Sequence, residues 1–254
     1  MKKNDSTLCW HTMHFEPKKS DLNSILSYGI LHDSNNVAFT SRIRSSYKIT
    51  EALEAEKFVV DWTKNKQLQQ PHGYTGEMVT GSTEAVLTAL WHIRECQKKT
   101  KNIDQMIVLT TEHTHFSVKK ACLILSVICQ TVKSRGDGTF IASELIKTMN
   151  EMLKKEYRTG FVIVGTIGLA TTGKSDDLHE LKKIKSEFST KTLCHLHIDA
   201  ATGGLCSRFL NDKLPYFDEC NVDSFSIDFH KRWDVSVWHR SPYNERKSLL
   251  IPRN

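Results

Sequence analysis

Two stretches decide how this chain is read: Cys194-His195-Leu196-His197-Ile198-Asp199-Ala200-Ala201 and Asp223-Ser224-Phe225-Ser226-Ile227-Asp228-Phe229-His230-Lys231. Each overlaps a short run of strand-like residues, Leu193–Ile198 and Phe225–Phe229. Asp199 follows the first run directly, and Lys231 follows the second by two residues.

Outward from these runs, strands and amphipathic helices alternate. A helix is expected from Thr50, with Ala52, Ala55, Val59 and Trp62 on one face. A second starts near Ser82 and has Val86, Ala89, Leu90 and Ile93 as its apolar stripe. Strands are expected at Met106–Thr110, Val127–Val132 and Phe161–Ile167. Helices are expected over 116–126, 142–155 and Asp177–Phe188; in the last, Leu181, Ile184 and Phe188 share a face. This alternation predicts an α/β fold with a mostly parallel sheet covered by helices on both sides. Residues 1–48 read as an irregular, polar N-terminal segment, and residues 49–254 as one large domain.

In such sheets ligands bind beyond the carboxyl ends of the strands. Asp199 and Lys231 are therefore expected on one functional edge. A lysine able to form a Schiff base and a carboxylate able to hold a pyridinium nitrogen are the two groups that pyridoxal 5'-phosphate (PLP) needs most. Alone, each has a plain reading, as a surface lysine after a strand or a strand-end aspartate capping a turn. The small residues Ala200, Ala201, Gly203 and Gly204 leave room for a flat ring near the backbone.

Two further segments add to the pair. In Val79-Thr80-Gly81-Ser82-Thr83-Glu84-Ala85, a glycine and two hydroxyl residues open a helix. Gly81, Ser82 and Thr83 there can receive a phosphate through backbone N–H groups and hydroxyls; the plain alternative is an N-cap. In Glu112-His113-Thr114-His115-Phe116-Ser117-Val118-Lys119-Lys120 an imidazole follows a strand, where it can stack on a heteroaromatic ring or cap the next helix.

Together these segments resemble the group II PLP-dependent amino-acid decarboxylases, with the aspartate-aminotransferase-like (type I) fold, over about residues 30 to 235. The resemblance implies that Lys231 forms the aldimine with PLP and that His230 contacts its phosphate. It implies that Asp199 holds the pyridine nitrogen, that His115 stacks on the ring, and that Ala201 packs beneath it. Catalytic roles accordingly fall to Lys231, His115 and Asp199. The implied reaction converts an L-amino acid to its amine and CO2. Another PLP-dependent lyase or aminotransferase reaction, or a degenerate homologue that binds PLP or a partner without turnover, are the alternatives. The family's site lies at a dimer interface, so the resemblance also implies a homodimer.

The chain departs from the family pattern in two places. Leu169 and Ala170 stand where a Thr-Thr pair is expected, with Thr171 and Thr172 next to them. The stretch Arg232–Arg240 is bulkier than the family's. Family members also continue past the lysine into a mobile loop and a small C-terminal domain, which a chain ending at Asn254 is expected to lack.

Composition sets the outer bounds. The 254 residues are 39% hydrophobic and 25% charged, which suits a globular domain. The net charge of +6 is spread over helical faces such as that of Lys182, Lys183 and Lys185, without the basic stripe of a nucleic-acid surface. No apolar run reaches membrane-span length, and none follows Met1-Lys2-Lys3, so neither a membrane span nor a secretory signal is expected. Seven cysteines without a C-x-x-C pair read as reduced thiols and a cytoplasmic location. The pairs His11/His14, His113/His115 and His195/His197 lack the further ligands of a metal motif, and no metal is expected.

Overall fold

The computed structural model describes residues 50–68, 74–79, 81–101, 103–154, 158–205, 222–229, 231 and 247–252. The N-terminal segment 1–48, His230 and the stretch 232–240 lie outside these residues.

The expected alternation is present. Helix α1 (Thr50–Trp62) runs into a π-helical turn at Thr63–Gln67. Strand β1 (Tyr74–Val79), helix α2 (Ser82–Lys101), strand β2 (Gln105–Thr111), helix α3 (Phe116–Leu125) and strand β3 (Ile128–Val132) come next. After them follow α4 (Ala142–Leu153), β4 (Thr159–Thr166), α5 (Leu178–Ser189), β5 (Cys194–Ala200), β6 (Ser224–Asp228) and β7 (Lys247–Pro252). In α1, Val59 is buried and Trp62 packs on the core; the side chains of Ala52 and Ala55 lie outside the described set.

The strands form one sheet in the order β1-β7-β6-β5-β4-β2-β3. The five strands from β6 to β3 are mutually parallel, while β7 runs antiparallel to both β6 and β1. Strands β1 and β7 are not marked as strands by the sequence pattern. Tyr74-Thr75-Gly76-Glu77-Met78-Val79 carries a glycine and a charge in place of an apolar run, so its pairing with β7 decides its conformation.

Alternation along the strands divides the core between two faces. One face carries Met106, Val108, Val162 and Val164, covered by Val86, Leu90 and Ile93 of α2 and Val118, Ala121 and Cys122 of α3. The other carries Ile107, Leu109, Phe161, Ile163, Leu196, Ile198, Phe225 and Ile227, covered by α4 and α5. All eight residues of β4 are buried, as a central parallel strand requires. Each fully buried large side chain here, such as Phe161 or Phe188, contributes roughly 1.5–3 kcal/mol.

On β5 and β6 the α2-covered face turns polar. The imidazoles of His195 (Nε2, 2.9 Å) and His197 (Nδ1, 2.7 Å) both meet the Ser224 hydroxyl. Burial pushes their pKa values down to about 4 and about 3, so both rings are neutral near pH 7. Their nitrogens are thus engaged within the sheet. Among the described residues no group of three or more His, Cys, Asp or Glu side chains is arranged to hold a metal.

Two carboxylates tie the loops to the sheet. Asp223 pairs with the buried Lys185 ammonium at 2.6 Å and accepts the Leu196 N–H, which joins the entry of β6 to α5 and β5. Asp176 accepts the N–H groups of Phe140 and Thr166, clamping the loop before α4 to the end of β4. Desolvation raises the Asp176 pKa to about 6, well above the unfolded value of 3.8. Its folded pKa lies above the unfolded one, so its stabilising contribution is complete below pH 3.8 and is lost as pH rises through about 6. Denaturant unfolding at pH 4 and pH 7 is therefore expected to show wild type losing about 3 kcal/mol relative to Asp176→Asn over that interval. A pH-independent difference would contradict this assignment.

Candidate active site

The carboxyl ends of β2, β4, β5 and β6 open onto one cleft. Its lining includes Ser82, His115, Asp199, Ala201 and Lys231, so five of the expected site residues come together from four segments of the chain. Gly81 and Thr83 are half-buried at the start of α2 but do not line the cleft. His230 lies outside the described residues.

Asp199 is the penultimate residue of β5 and 5% exposed. Its Oδ1 accepts the Ala201 N–H at 3.0 Å, which aims the carboxylate along the turn after the strand. Desolvation raises its pKa; the Ala201 N–H bond and then the positive charge of Lys231 act in the opposite direction. The turn that follows folds back on the loop after β4. The Gly203 N–H donates to the Ile167 carbonyl at 3.0 Å, and a Cβ on Gly203 would stand 2.6 Å from that oxygen. Its partner Gly168 has φ +76°, in the region that favours glycine. These two glycines bring the loops of β4 and β5 together at the cleft.

Lys231 reaches across from beyond β6. Its Nζ donates to the Ser82 hydroxyl at 3.2 Å and lies 3.8 Å from Oδ2 of the buried Asp228. The first turn of α2 is therefore at the lysine's amine. There the helix dipole and a hydroxyl favour an anion.

His115 caps a helix and lines the cleft. It is the N-cap of α3, with Nδ1 accepting the Ser117 N–H at 3.3 Å and meeting the Ser117 hydroxyl at 2.8 Å. An accepting Nδ1 leaves the proton of the neutral ring on Nε2. The same ring lines the cleft and lies 4.4 Å from the Phe116 ring, centroid to centroid.

Other lining residues were given no site role by the sequence. His113 reaches the cleft and bonds Thr171 Oγ1 at 3.1 Å, while Thr172 turns away to the Asp137 carbonyl. Neither threonine lines the cleft, so Leu169 and Ala170 remain apolar replacements there. Thr166 is the register partner of Asp199 on β4. Its hydroxyl is buried and lacks a hydrogen-bond partner, an arrangement that costs about 1–3 kcal/mol unless a bound group supplies the partner. Only the strand register could have pointed to it.

The donor set fits PLP. A desolvated carboxylate suits a pyridinium, an amine suits an aldehyde, and a helix N-terminus with a hydroxyl suits a phosphate. A buried, unpartnered hydroxyl beside the carboxylate offers a further polar contact.

The fold and the cleft define a PLP-binding protein, and the comparisons with known proteins agree. Residues 10–238 match the pyridoxal-dependent decarboxylase conserved domain, and the chain belongs to that family, whose cofactor is PLP. It is 28% identical over 226 residues to 4-hydroxyphenylacetaldehyde synthase of Rhodiola rosea, an alignment covering 80% of this chain and 44% of that protein. It is 34% identical over 158 residues to a probable L-tyrosine/L-aspartate decarboxylase of Methanosphaerula palustris, covering 61% and 39%. Among solved structures, glutamate decarboxylase of Lactobacillus brevis superposes with TM-score 0.65 at 21% identity, over 96% of this chain and 52% of that one. That likeness is one of fold. The chain spans about half the length or less of these relatives.

Proposed function

We propose that this chain is the cofactor-binding domain, residues 49–254 preceded by the segment 1–48, of a PLP-dependent L-amino-acid decarboxylase. The observation that carries the reading is the meeting of Asp199, Lys231 and Ser82 in one cleft from distant parts of the sequence. PLP, when bound, supplies the electron sink that accepts the pair left behind as CO2 departs.

The protein's own residues bind and orient. Asp199 faces the ring nitrogen and keeps its proton in place. Lys231 would provide the amine that holds the cofactor covalently. Ser82 and the first turn of α2, with Gly81 and Thr83, hold the phosphate, assisted by His230. His115 covers one face of the ring and Ala201 the other. The Nε2–H of His115 is free of the capping bond, and so it can face a substrate carboxylate at the ring.

The test is direct. Purified protein loaded with PLP and given a panel of L-amino acids should release CO2 and the matching amine. Keto-acid formation without CO2 would transfer the reading to an aminotransferase. PLP binding with neither product would favour a domain that binds without turnover, a reading motivated by Leu169 and Ala170 in the cleft.

A homodimer is the assembly we assign by resemblance. Phe116, Leu123 and Ile124 expose 67%, 73% and 58% of their surface along α3, an apolar face that self-association would cover. Sedimentation of the purified chain measures it. We place the protein in the cytoplasm on its free thiols; among the described residues no helix is long and apolar enough to cross a membrane.

A further inference from the structure

The proposed reaction leaves one buried acid beside the cleft without a task. Asp228 is the last residue of β6 and 1% exposed. Side chains alternate along a strand, so Asp228 shares a face with Ser226. Ser226 is the register partner of Asp199, which puts Asp228 one same-face step beyond that level, toward the carboxyl edge of the sheet. There its Oδ2 lies 3.8 Å from Lys231 Nζ. The same amine donates to the Ser82 hydroxyl at 3.2 Å, so Lys231 is held between the first turn of α2 and the end of β6. The charge of Asp228 also reaches Asp199: desolvation is the first cause of the raised pKa there, and the Asp228 carboxylate adds in the same direction.

A carboxylate paired with a lysine can act in two ways. As a plain counter-ion it keeps the proton on the amine and retards attack by the nitrogen. As a proton acceptor it frees the nitrogen's lone pair. The setting of Asp228 favours the second. Its side chain is fully enclosed, while that of Lys231 is 30% exposed and lines the cleft. Burial disfavours the charged form of a carboxyl group, so an enclosed acid is suited to holding a proton. The flexible aliphatic stem of the lysine can close the remaining distance, and catalytic contacts are commonly longer before the ligand arrives.

We propose that Asp228 is the proton acceptor that readies Lys231 for the cofactor's aldehyde, an inference that rests on the PLP reading of the cleft. One N–H bond of the Lys231 ammonium breaks and one O–H bond forms at Asp228 Oδ2; nothing is oxidised or reduced. The electron pair left on Nζ is then available to the aldehyde carbon. The aldehyde oxygen departs as water, carrying the proton held by Asp228 and one from Nζ, and Asp228 is a carboxylate again. Asp228 thus touches the reacting nitrogen, while Asp199 keeps its separate place at the ring.

The experiment measures how fast the cofactor-free protein captures PLP, by absorbance and by the borohydride-trapped adduct. Asp228→Asn should slow capture by roughly 10²-fold or more, the scale of one positioned proton acceptor. Its affinity for pyridoxine 5'-phosphate, which has no aldehyde, should change little. In Asp228→Ala, which leaves room for a small acid, added formate should restore capture and chloride at the same ionic strength should not; this variant also serves if the asparagine one fails to fold. Capture by Asp228→Asn as fast as wild type, or faster, is the result of a plain counter-ion and overturns the proposal. So does a formate addition without effect. Wild type that binds neither compound would overturn the PLP reading itself, and the proposal with it.

Discussion

Replacing Lys231 with alanine is expected to remove covalent retention of PLP completely. Lys231 is the one amine among the described residues lining the cleft, and its Nζ already lies 3.2 Å from Ser82 and 3.8 Å from Asp228. Borohydride treatment of PLP-loaded wild type, followed by peptide mass mapping, should find the cofactor on Lys231 alone. Both Lys231→Ala and Lys231→Arg should yield no adduct. The arginine keeps the charge beside Asp228 but is not a usable nucleophile, so it separates the loss of the amine from the loss of a cation. Amine production should fall with the adduct, by roughly 10²–10⁴-fold or more given what a single positioned catalytic group contributes. An adduct that moves to another lysine in either variant would remove Lys231 from the mechanism.

The second large effect is expected at Asp199, where binding and stability should move in opposite directions. Asp199→Asn still accepts the Ala201 N–H through its amide oxygen but no longer opposes a pyridinium with a charge. Losing one partner of a buried charge pair costs about 2–5 kcal/mol, so PLP affinity should weaken by roughly 30-fold or more. In the cofactor-free protein the sign reverses. Desolvation raises the folded pKa of Asp199 above its unfolded value. Its stabilising contribution is therefore present at low pH and lost as pH rises through the folded pKa. The asparagine variant lacks that loss, so cofactor-free Asp199→Asn should match or exceed wild type in denaturant unfolding at pH 8 and gain relative to it between pH 5 and pH 8. Unchanged PLP affinity in this variant would mean that the carboxylate does not face the ring.

Much of this was legible in the residues. Val162, Val164, Leu196 and Ile198 lie in dense β-branched and aliphatic runs between amphipathic helices, and such runs have few uses except buried parallel strands. Boundaries fell within a few residues: the helix expected over Asp177–Phe188 occupies Leu178–Ser189, with Asp177 as its N-cap accepting from His179 and Glu180. Asp199 and Lys231 were visible because one directly follows such a strand and the other follows one by two residues. His115 carried two readings, cap and ring-stacker; the structure shows the cap, through Nδ1, and puts the same residue in the cleft lining.

What escaped the sequence depends on neighbours distant along the chain. Strand β1 has a glycine and a glutamate where a strand signal would need apolar residues, and it exists because β7 pairs with it residue by residue from Tyr74–Pro252 to Val79–Lys247. Thr166 reads as one more strand threonine until its register with Asp199 puts its unpartnered hydroxyl beside the carboxylate. Thr171 and Thr172 looked able to stand in for the hydroxyls missing at Leu169 and Ala170, but their side chains are taken by His113 and the Asp137 carbonyl.

The sequence by itself determined the alternation of strands and helices from Ser82 to Asp228, the parallel sheet, and which aspartate and lysine are expected at its edge. Those follow from local periodicity and from chemistry that few residue types can perform. The tertiary structure decided which groups share the cleft, because strand register and the Gly168–Gly203 contact set distances between residues far apart in the chain. It also decided the electrostatics of the site. Asp199, His195 and His197 carry shifted pKa values through burial, and burial does not exist until the chain has folded around them.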